Sequence, residues 1–306
     1  MTRVTVVIPA YNAERYIEAT LDSLVAQTLR DFEVMLVDDG STDSTLERAR
    51  RYAERFPLTI LQQRQRGPSA ARNAGIRQAR GLYCAFLDAD DLLLPSALAA
   101  QAARLDADPQ VSIVATEVST FNEQGTLRER RWDIAGTRDV FARLLVENYI
   151  TTSAVMARVD RLLEAGLFPE DRRVAEDYEL WLNLAVRGKL ALLDEPLVRY
   201  RYTSGSLSSN KLYSARCALD VIEQFWRRNP QLRAAHGATY HASLARHCGN
   251  AGAAALGERQ WRAALPYFAT SLRHRPLEVQ SWKGLVKLLA GALGMRRPAA
   301  APAAKA

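Results

Sequence analysis

The feature that most constrains the fold is an alternation of apolar runs and amphipathic stretches in the first third of the chain. Residues 4–8, 32–37 and 82–87 read as buried strands, and the stretches between them contain segments with helical spacing. Strands that alternate with helices connect by right-handed crossovers, which builds a parallel sheet with helices on both faces. The sequence therefore predicts an α/β fold with a mostly parallel sheet flanked by helices.

Polar turns follow three of the predicted strands, at residues 9–11, 38–40 and 88–90. In sheets of this kind, ligands bind outside the carboxyl ends of the strands. We therefore expect the three turns to lie at one edge of the sheet and to form a single site.

The acidic cluster Asp88, Asp90 and Asp91 directly follows a buried strand. Carboxylates this close repel one another and raise each other's pKa unless a cation neutralises them. Oxygen ligands without a nearby His or Cys favour Mg²⁺ or Mn²⁺, and such an ion in a cleft usually also holds a phosphate-bearing substrate. An acidic turn that caps the following helix is the alternative for this pattern alone.

The absence of two phosphate-binding motifs narrows the class of ligand. The first turn lacks GxGxxG and the chain lacks GxxxxGK[ST], which excludes a dinucleotide site and a P-loop. The ring of Tyr11 can stack on a nucleobase, and Asp39 can accept hydrogen bonds from a base or a ribose. Arg72 begins a predicted helix near the same edge and can reach a diphosphate. The alternative for Asp39 is an acid of the kind that commonly follows the second strand of Rossmann-like sheets. The alternative for Arg72 is a salt bridge on the surface of the helix.

Taken in order, these motifs resemble the family 2 glycosyltransferases of the GT-A fold. The resemblance is carried by VVIPAYN at 6–12, VDDGSTD at 37–43, GPSAARNAG at 67–75 and FLDADD at 86–91. It covers about residues 3–210. It implies a Rossmann-like sheet and an inverting transfer of a sugar from a nucleotide donor to an acceptor hydroxyl.

The resemblance also implies roles for individual residues, with Mg²⁺ or Mn²⁺ as the cofactor. Pro9, Tyr11 and Asp39 would hold the nucleoside, and Arg72 the diphosphate region. Asp88 and Asp90 would bind the metal. The complete donor-binding set is Pro9, Tyr11, Asp39, Arg72, Asp88, Ala89 and Asp90.

A candidate base lies downstream, in VAEDYELW at residues 174–181. The family carries a Glu-Asp pair at a helix start here, so the resemblance assigns the role of base to Asp177. A helix N-terminus would keep this carboxylate ionised at neutral pH. Without the resemblance, a charge that merely complements the helix dipole is the better interpretation. Glu176 joins the site, and Trp181 is either a platform for a sugar ring or a core residue.

Residues 197–208 resemble the closing segment of the family, an Arg-aromatic strand followed by a Ser-x-Ser loop. Such a loop can close over a diphosphate and offer hydroxyls and backbone N–H groups to its oxygens. Arg201, Ser206 and Ser208 are therefore further candidates. Tyr202 stands where a His is frequent in the family. Because of this departure, the resemblance does not support a metal contact from this segment.

The remainder of the chain has a different character. From residue 211 onward it carries 15 Lys and Arg against 4 Asp and Glu, a net charge of +11, whereas residues 1–210 carry 26 against 30, a net of −4. Helical spacing there resembles one tetratricopeptide unit. Residues 278–293 suit either an interfacial helix on an anionic membrane surface or an ordinary docking helix. Residues 298–306 are rich in Ala and Pro and are predicted to be disordered.

The sequence thus predicts a GT-A catalytic domain over residues 1–210, followed by a helical extension over 211–297. Within the catalytic domain, residues 1–110 would bind the nucleotide sugar and residues 111–210 would shape the acceptor pocket. Three cysteines without CxxC spacing favour reduced thiols and a cytoplasmic location. The basic helix predicts peripheral attachment to the inner face of the membrane.

The predicted reaction uses a nucleotide-diphosphate sugar, taken as UDP-linked, and a hydroxyl of a surface polysaccharide, lipid-linked oligosaccharide or other glycoconjugate. No nucleic acid partner is predicted. One alternative is a nucleotidyltransferase on a similar sheet, but its Gly-rich loop near the first strand is absent. The other is an inactive nucleotide-sugar-binding module, against which the presence of Asp88, Asp90 and Asp177 argues.

Overall fold

The computed structural model describes residues 2–122, 125, 127–130, 139–202 and 210–292. The chain divides into two compact units, residues 1–209 and 210–306. This division lies next to the boundary predicted at residue 210. The functional roles assigned to the two parts stay predictions.

The first unit is built on one nine-stranded sheet with the strand order β3-β2-β1-β4-β8-β6-β9-β5, and β7 pairs with β6. The strands are β1 Val4–Ala10, β2 Phe32–Asp38, β3 Leu58–Gln62, β4 Tyr83–Phe86, β5 Leu92–Leu93, β6 Val111–Phe121, β7 Leu127–Arg130, β8 Val155–Arg158 and β9 Lys189–Arg201.

Helices connect and flank these strands. In the first unit they are α1 Ile17–Val25, α2 Thr45–Arg50, α3 Pro68–Arg77, α4 Ala97–Ala107, α5 Val140–Val146, α6 Val159–Glu164 and α7 Glu176–Ala185, with a 3-10 turn at Thr152–Ala154. The second unit contains α8 Lys211–Arg228, α9 Pro230–Ala235, α10 Gly237–Gly257, α11 Trp261–His274 and α12 Val279–Ala292.

The predicted α/β architecture is confirmed, and the direction of the strands differs between the two halves of the sheet. The pairs β1–β2, β2–β3 and β1–β4 are parallel, as expected for alternating strands and helices. Beyond β4 the sheet is mixed, because β8 runs antiparallel to both β4 and β6 while β6 and β9 are parallel. Strands β4 and β8 are buried along almost their whole length, and a buried run of this kind has a similar composition whichever way its neighbour runs, so the sequence does not report strand direction here.

A close helix–strand approach positions the start of α3. Gly75 lies against β1 so tightly that an added Cβ would come within 2.6 Å of Val7 Cγ1. Since Arg72 lies one helical turn earlier on α3, this contact holds its side chain at the carboxyl edge of the sheet.

The second unit packs around Phe268, a buried ring on α11. An added Cβ would come within 2.7 Å of this ring at Gly252 on α10, and within 2.2 Å at Gly284 on α12. These contacts require a small residue at Gly252 and at Gly284, while the tetratricopeptide-like character of the unit stays a prediction. None of the helices in the described part of the chain has both the length and the apolar character needed to cross a membrane.

Candidate active site

The three predicted turns lie at one edge of the first unit. Strands β1 and β2 pair in register to their last residues, Ala10 and Asp38, and β4 pairs with β1 on the other side. The carboxyl ends of β1, β2 and β4 are therefore neighbours, as the sequence predicted. The candidate site is built on this edge.

Asp39, which directly follows β2, is buried and anchors the loop that leads into α3. Its Oδ1 accepts hydrogen bonds from Gln63 Nε2 and from the backbone N–H of Arg66, and its Oδ2 accepts one from the N–H of Gly67, all at 2.7 Å. A carboxylate offers about four lone-pair sites, so a contact with a base or ribose remains available in addition. The loop-anchoring role was not predicted from the sequence.

Tyr11 projects from the first turn with an exposed ring, and Pro9 beside it is half-buried. The turn is tied to the loop after β2, because Asn12 Oδ1 accepts from the N–H of Thr42 at 2.9 Å and the Asn12 N–H donates to Ser41 Oγ at 3.0 Å. The Tyr11 ring is thus free to stack while the backbone that carries it is held.

The acidic cluster is arranged around Asp91, which is fully buried. Its Oδ1 accepts from the backbone N–H of Arg201 at 2.8 Å, and its Oδ2 accepts from Ser153 Oγ at 2.5 Å. Asp88 and Asp90 are partly exposed in front of it. The backbone between them is also held, because the carbonyl of the buried residue Ala89 accepts from a threonine hydroxyl of α1 at 2.9 Å.

Negative charge in this cluster is incompletely compensated. Burial, and then the neighbouring charge of Asp88, raise the pKa of Asp90 to about 6. Burial and the charges of Asp88 and Asp90 likewise raise the pKa of Asp91. Both pKa values are raised for the same reason, which is that several carboxylates lie close together with little exposure to solvent.

The donor set fits a divalent cation that a substrate would help to coordinate. Among the residues described, no group of three or more His, Cys, Asp or Glu side chains is arranged as a metal site. Mg²⁺, however, is commonly bound through one or two carboxylates plus substrate phosphates. Asp88 and Asp90 supply two oxygen ligands of this type, and the raised pKa of Asp90 marks the charge that a cation would neutralise.

Arg72 lies behind the cluster, turned inward. Its Nη2 donates to Asp88 Oδ1 at 2.7 Å, its Nη1 donates to Glu176 Oε1 at 3.2 Å, and its guanidinium lies over the Phe168 ring at 5.3 Å. Its buried Nε has no hydrogen-bond partner among the described residues. Arg72 therefore bridges two acids in this structure, and the predicted contact with a diphosphate stays a prediction.

Asp177 lies in the first turn of α7, as predicted. Thr152 Oγ1 donates to its Oδ2 at 3.2 Å, and Asn148 Nδ2 donates to its Oδ1 at 3.3 Å. Burial, and then the charge of Glu176, raise the pKa of Asp177 to about 7. Burial therefore outweighs the helix dipole at Asp177, and its role as the base stays a prediction.

Trp181 is not a sugar platform. It is fully buried, and its ring centroid lies 5.7 Å from that of Phe168 and 5.9 Å from that of Phe86. The face of α7 that carries Trp181 packs on the sheet, so the core interpretation is the correct one. The aromatic cluster supports the Arg72 guanidinium through Phe168.

Arg201 lies beside the acidic cluster, where its Nε donates to the carbonyl of Asp90 at 2.8 Å. Its guanidinium is held over the rings of Phe121 and Tyr16, at 4.3 and 4.6 Å from their centroids. The other two candidates of the closing segment, Ser206 and Ser208, lie outside the described residues.

Three residues of the site were not assigned from the sequence: Asn148, Thr152 and Ser153. The first two contact Asp177, while Ser153 joins the acidic cluster, donating to Asp91 and accepting from the backbone N–H of Asp88 at 3.1 Å. The sequence signal in this stretch is the polar run Thr151-Thr152-Ser153 directly before a strand, and such a run does not identify the partners of its side chains.

Two solved structures share the fold of this chain. S. aureus TarS in complex with UDP-GlcNAc is 19% identical, with a TM-score of 0.61 over 95% of this chain and 92% of that one. The mannosyltransferase PcManGT from Pyrobaculum calidifontis, in complex with GDP-Man and Mn²⁺, is 23% identical, with a TM-score of 0.66 over 95% and 86%. At these identities the likeness shows the fold alone, which is the GT-A fold expected from the motifs.

Sequence relatives are glycosyltransferases as well. An uncharacterized glycosyltransferase of Rickettsia felis is 31% identical over 205 residues, which is 67% of this chain and 34% of the relative. The chain thus spans about a third of the length of that relative. The UDP-Glc:alpha-D-GlcNAc-diphosphoundecaprenol beta-1,3-glucosyltransferase WfgD of Escherichia coli is 27% identical over 225 residues, 72% of this chain and 86% of the relative.

The family model described as glycosyl transferase family 2 matches residues 5–162, which is more than half of the chain. The match includes the first turn, the Asp39 loop and the acidic cluster. This match favours the glycosyltransferase family over the nucleotidyltransferase that the sequence analysis left as an alternative. The chain therefore belongs to glycosyl transferase family 2.

Proposed function

We propose that this protein transfers a sugar from a UDP-linked donor to an acceptor hydroxyl, with inversion at the anomeric carbon. One observation carries the proposal. Arg72 joins Asp88 of the acidic cluster to Glu176, the neighbour of Asp177, through hydrogen bonds of 2.7 and 3.2 Å. This link brings the acidic cluster, to which we assign the diphosphate, close to the Asp177 carboxyl group, whose pKa is raised to about 7.

In the proposed step, the Asp177 carboxylate accepts the proton of the acceptor hydroxyl while that oxygen forms its bond to the anomeric carbon. The bond from that carbon to the diphosphate oxygen breaks on the opposite face, and the nucleoside diphosphate leaves with the electron pair. A pKa near 7 suits a general base at neutral pH, because the group is substantially ionised and still basic. A single displacement inverts the anomeric configuration.

For the donor, we assign the nucleoside to Pro9, Tyr11 and Asp39, and the diphosphate to the acidic cluster. Asp88 and Asp90 would hold Mg²⁺ or Mn²⁺, which when bound neutralises the charge that develops on the departing diphosphate. The Mn²⁺ complex of PcManGT and the UDP-GlcNAc complex of TarS support this assignment.

For the acceptor, we assign a hydroxyl of a lipid-linked or polymeric glycan in the synthesis of a surface polysaccharide or glycoconjugate. The name of WfgD, which places its acceptor on diphosphoundecaprenol, supports this class. The corresponding location is the cytoplasmic side, with peripheral attachment to the inner face of the membrane.

The experiment supplies the purified chain with UDP-glucose or UDP-N-acetylglucosamine, Mn²⁺ and a GlcNAc-diphosphate-lipid acceptor. We expect release of UDP together with a disaccharide product whose new linkage is inverted, as measured by the anomeric coupling constant in NMR spectra. A product of retained configuration would contradict the single displacement. Absence of product with all UDP-sugars, alongside turnover of a GDP-sugar, would contradict the assignment of the donor.

A further inference from the structure

Helix α12 presents two different faces. On one face, Ser281 is fully buried and Leu285 and Leu288 pack on the core of the second unit. Gly284 lies against the Phe268 ring on the same side. This face accounts for the docking helix that was one interpretation of the sequence.

The opposite face is apolar and open to solvent. Val279, Trp282, Val286 and Leu289 are 61%, 52%, 62% and 63% exposed, and their spacing of three, four and three residues places them in one line along the helix. We call these four residues the apolar stripe. Docking on the second unit does not bury the stripe, so the docking interpretation explains only half of the helix.

A basic groove runs beside the apolar stripe. It is a cavity of about 480 Å³ between α10 and α12, whose charged lining residues are Arg246, Glu278, Lys283 and Lys287. Three cations against one carboxylate give the groove a net positive charge. By helical spacing, the two lysines lie between the apolar stripe and the buried face of α12.

The chemistry of this surface fits an anionic bilayer. An apolar line flanked by lysines is the pattern of helices that lie in the membrane interface, with their apolar side among the acyl chains and their cations at the headgroups. The whole stretch from residue 211 onward carries a net charge of +11, which an anionic leaflet attracts. A protein partner would need acidic groups set to match, whereas a lipid surface supplies phosphates along the full length of the helix.

We infer that α12 binds the surface of an anionic membrane, with the apolar stripe in the acyl boundary and the basic groove receiving lipid phosphates. The inference specifies how the protein reaches its membrane and rests on the proposed function only for the expectation that the acceptor is lipid-linked. The binding itself needs no donor, metal or acceptor. It can therefore be tested apart from transfer.

The experiment is flotation of the full chain with vesicles, without nucleotide. We expect binding to vesicles of equal parts phosphatidylcholine and phosphatidylglycerol and none to phosphatidylcholine alone. Raising NaCl from about 0.1 M to about 1 M should release the protein, since the Debye length shortens from about 10 to about 3 Å.

Two variants test the two parts of the surface. Lys283→Gln/Lys287→Gln should weaken the partition coefficient about 30-fold, the combined effect of two well-placed cations. Its control, Arg216→Gln/Arg227→Gln, removes the same charge from exposed positions of α8 and should change binding by far less. Val286→Gln/Leu289→Gln should reduce binding at least about tenfold, because it removes apolar area from the inserted side.

The control for the apolar variant is Leu163→Gln/Leu265→Gln, which alters residues that are 52% and 54% exposed on other helices. Equal losses in the variant and its control would overturn the assignment to the apolar stripe. A full chain that never floats, or that dimerises in sedimentation through Val286 and Leu289, would overturn the inference. Metal-dependent UDP binding measured on the same sample shows whether the proposed function survives that failure.

Discussion

Two carboxylate regions share the carboxyl edge of the sheet, and the protein treats them in opposite ways. Asp39 receives three N–H donors at 2.7 Å from the loop that precedes α3. Asp90 and Asp177, by contrast, are held where burial and acidic neighbours raise their pKa to about 6 and about 7. A carboxylate whose oxygens accept hydrogen bonds from the protein stabilises the fold. Buried carboxylates beside other acids, by contrast, reduce stability and are available to bind a cation or accept a proton.

The largest effect should come from Asp177. Asp177→Asn keeps the size of the side chain and removes its basicity, so transfer should fall by about 10²- to 10⁴-fold, the usual contribution of general base catalysis. Donor binding should stay near normal, because Asp177 lies on the acceptor side in our proposal. Single-turnover rates and UDP titrations with Mn²⁺ measure the two separately. A collapse of UDP affinity would move Asp177 to the donor site.

The pH dependence sharpens the same contrast. Only ionised Asp177 can accept a proton, so with a pKa of about 7 the value of kcat/KM should rise about 100-fold between pH 5 and pH 8 and then level off. The expected slope is positive, because protonation below the pKa removes the base. The assays use saturating Mn²⁺ to keep the acidic cluster ionised, so that the rise in kcat/KM reports the ionisation of Asp177 alone. The residual activity of Asp177→Asn should show no such rise.

Asp39 should contribute to stability, in addition to the nucleoside contact that we assign to it. Asp39→Asn replaces a charged acceptor by an amide that presents N–H groups toward N–H donors, so we expect a loss of about 1–3 kcal/mol in the free energy of unfolding. Urea denaturation measures it. The control, Asp31→Asn at an exposed position, should stay within about 0.5 kcal/mol of the parent.

The smallest effect should have the opposite sign. Because the pKa of Asp90 is raised from 3.8 to about 6 on folding, stability falls as the pH rises between these two values and the full cost applies above them, so Asp90→Asn should raise the free energy of unfolding by about 0.5–2 kcal/mol at pH 8. At pH 5 the gain should shrink, because Asp90 is then largely neutral in the parent as well. A variant that is destabilised at both pH values would show that Asp90 is satisfied within the free protein.

Much of this edge could be predicted from the sequence because parallel strands bring their carboxyl ends together. The apolar runs located β1, β2 and β4, and the polar residues behind them had to converge. The position of Asp177 at a helix start was implied by the resemblance, and Asp177 lies in the first turn of α7. These features depend on local pattern and on topology, which a sequence encodes directly.

The remaining features depend on contacts between distant segments. The donors to Asp39 are largely backbone N–H groups, which have no sequence signature. The inward turn of Arg72 depends on Glu176, 104 positions further along the chain. The 3-10 turn Thr152–Ala154, which leads into the antiparallel β8, brings Ser153 into the acidic cluster, and no local pattern marks the direction of β8.

We propose that the acidic cluster is incomplete without a cation and a diphosphate, and the melting temperature of the full chain with UDP tests this most directly. We predict a rise with UDP and Mn²⁺ together, little change with either alone, and loss of the rise in chelator and in Asp90→Asn. The Asp177→Asn variant should keep the rise. A UDP-induced rise that persists in chelator, or that survives Asp90→Asn, would contradict binding of the diphosphate through a cation at this cluster.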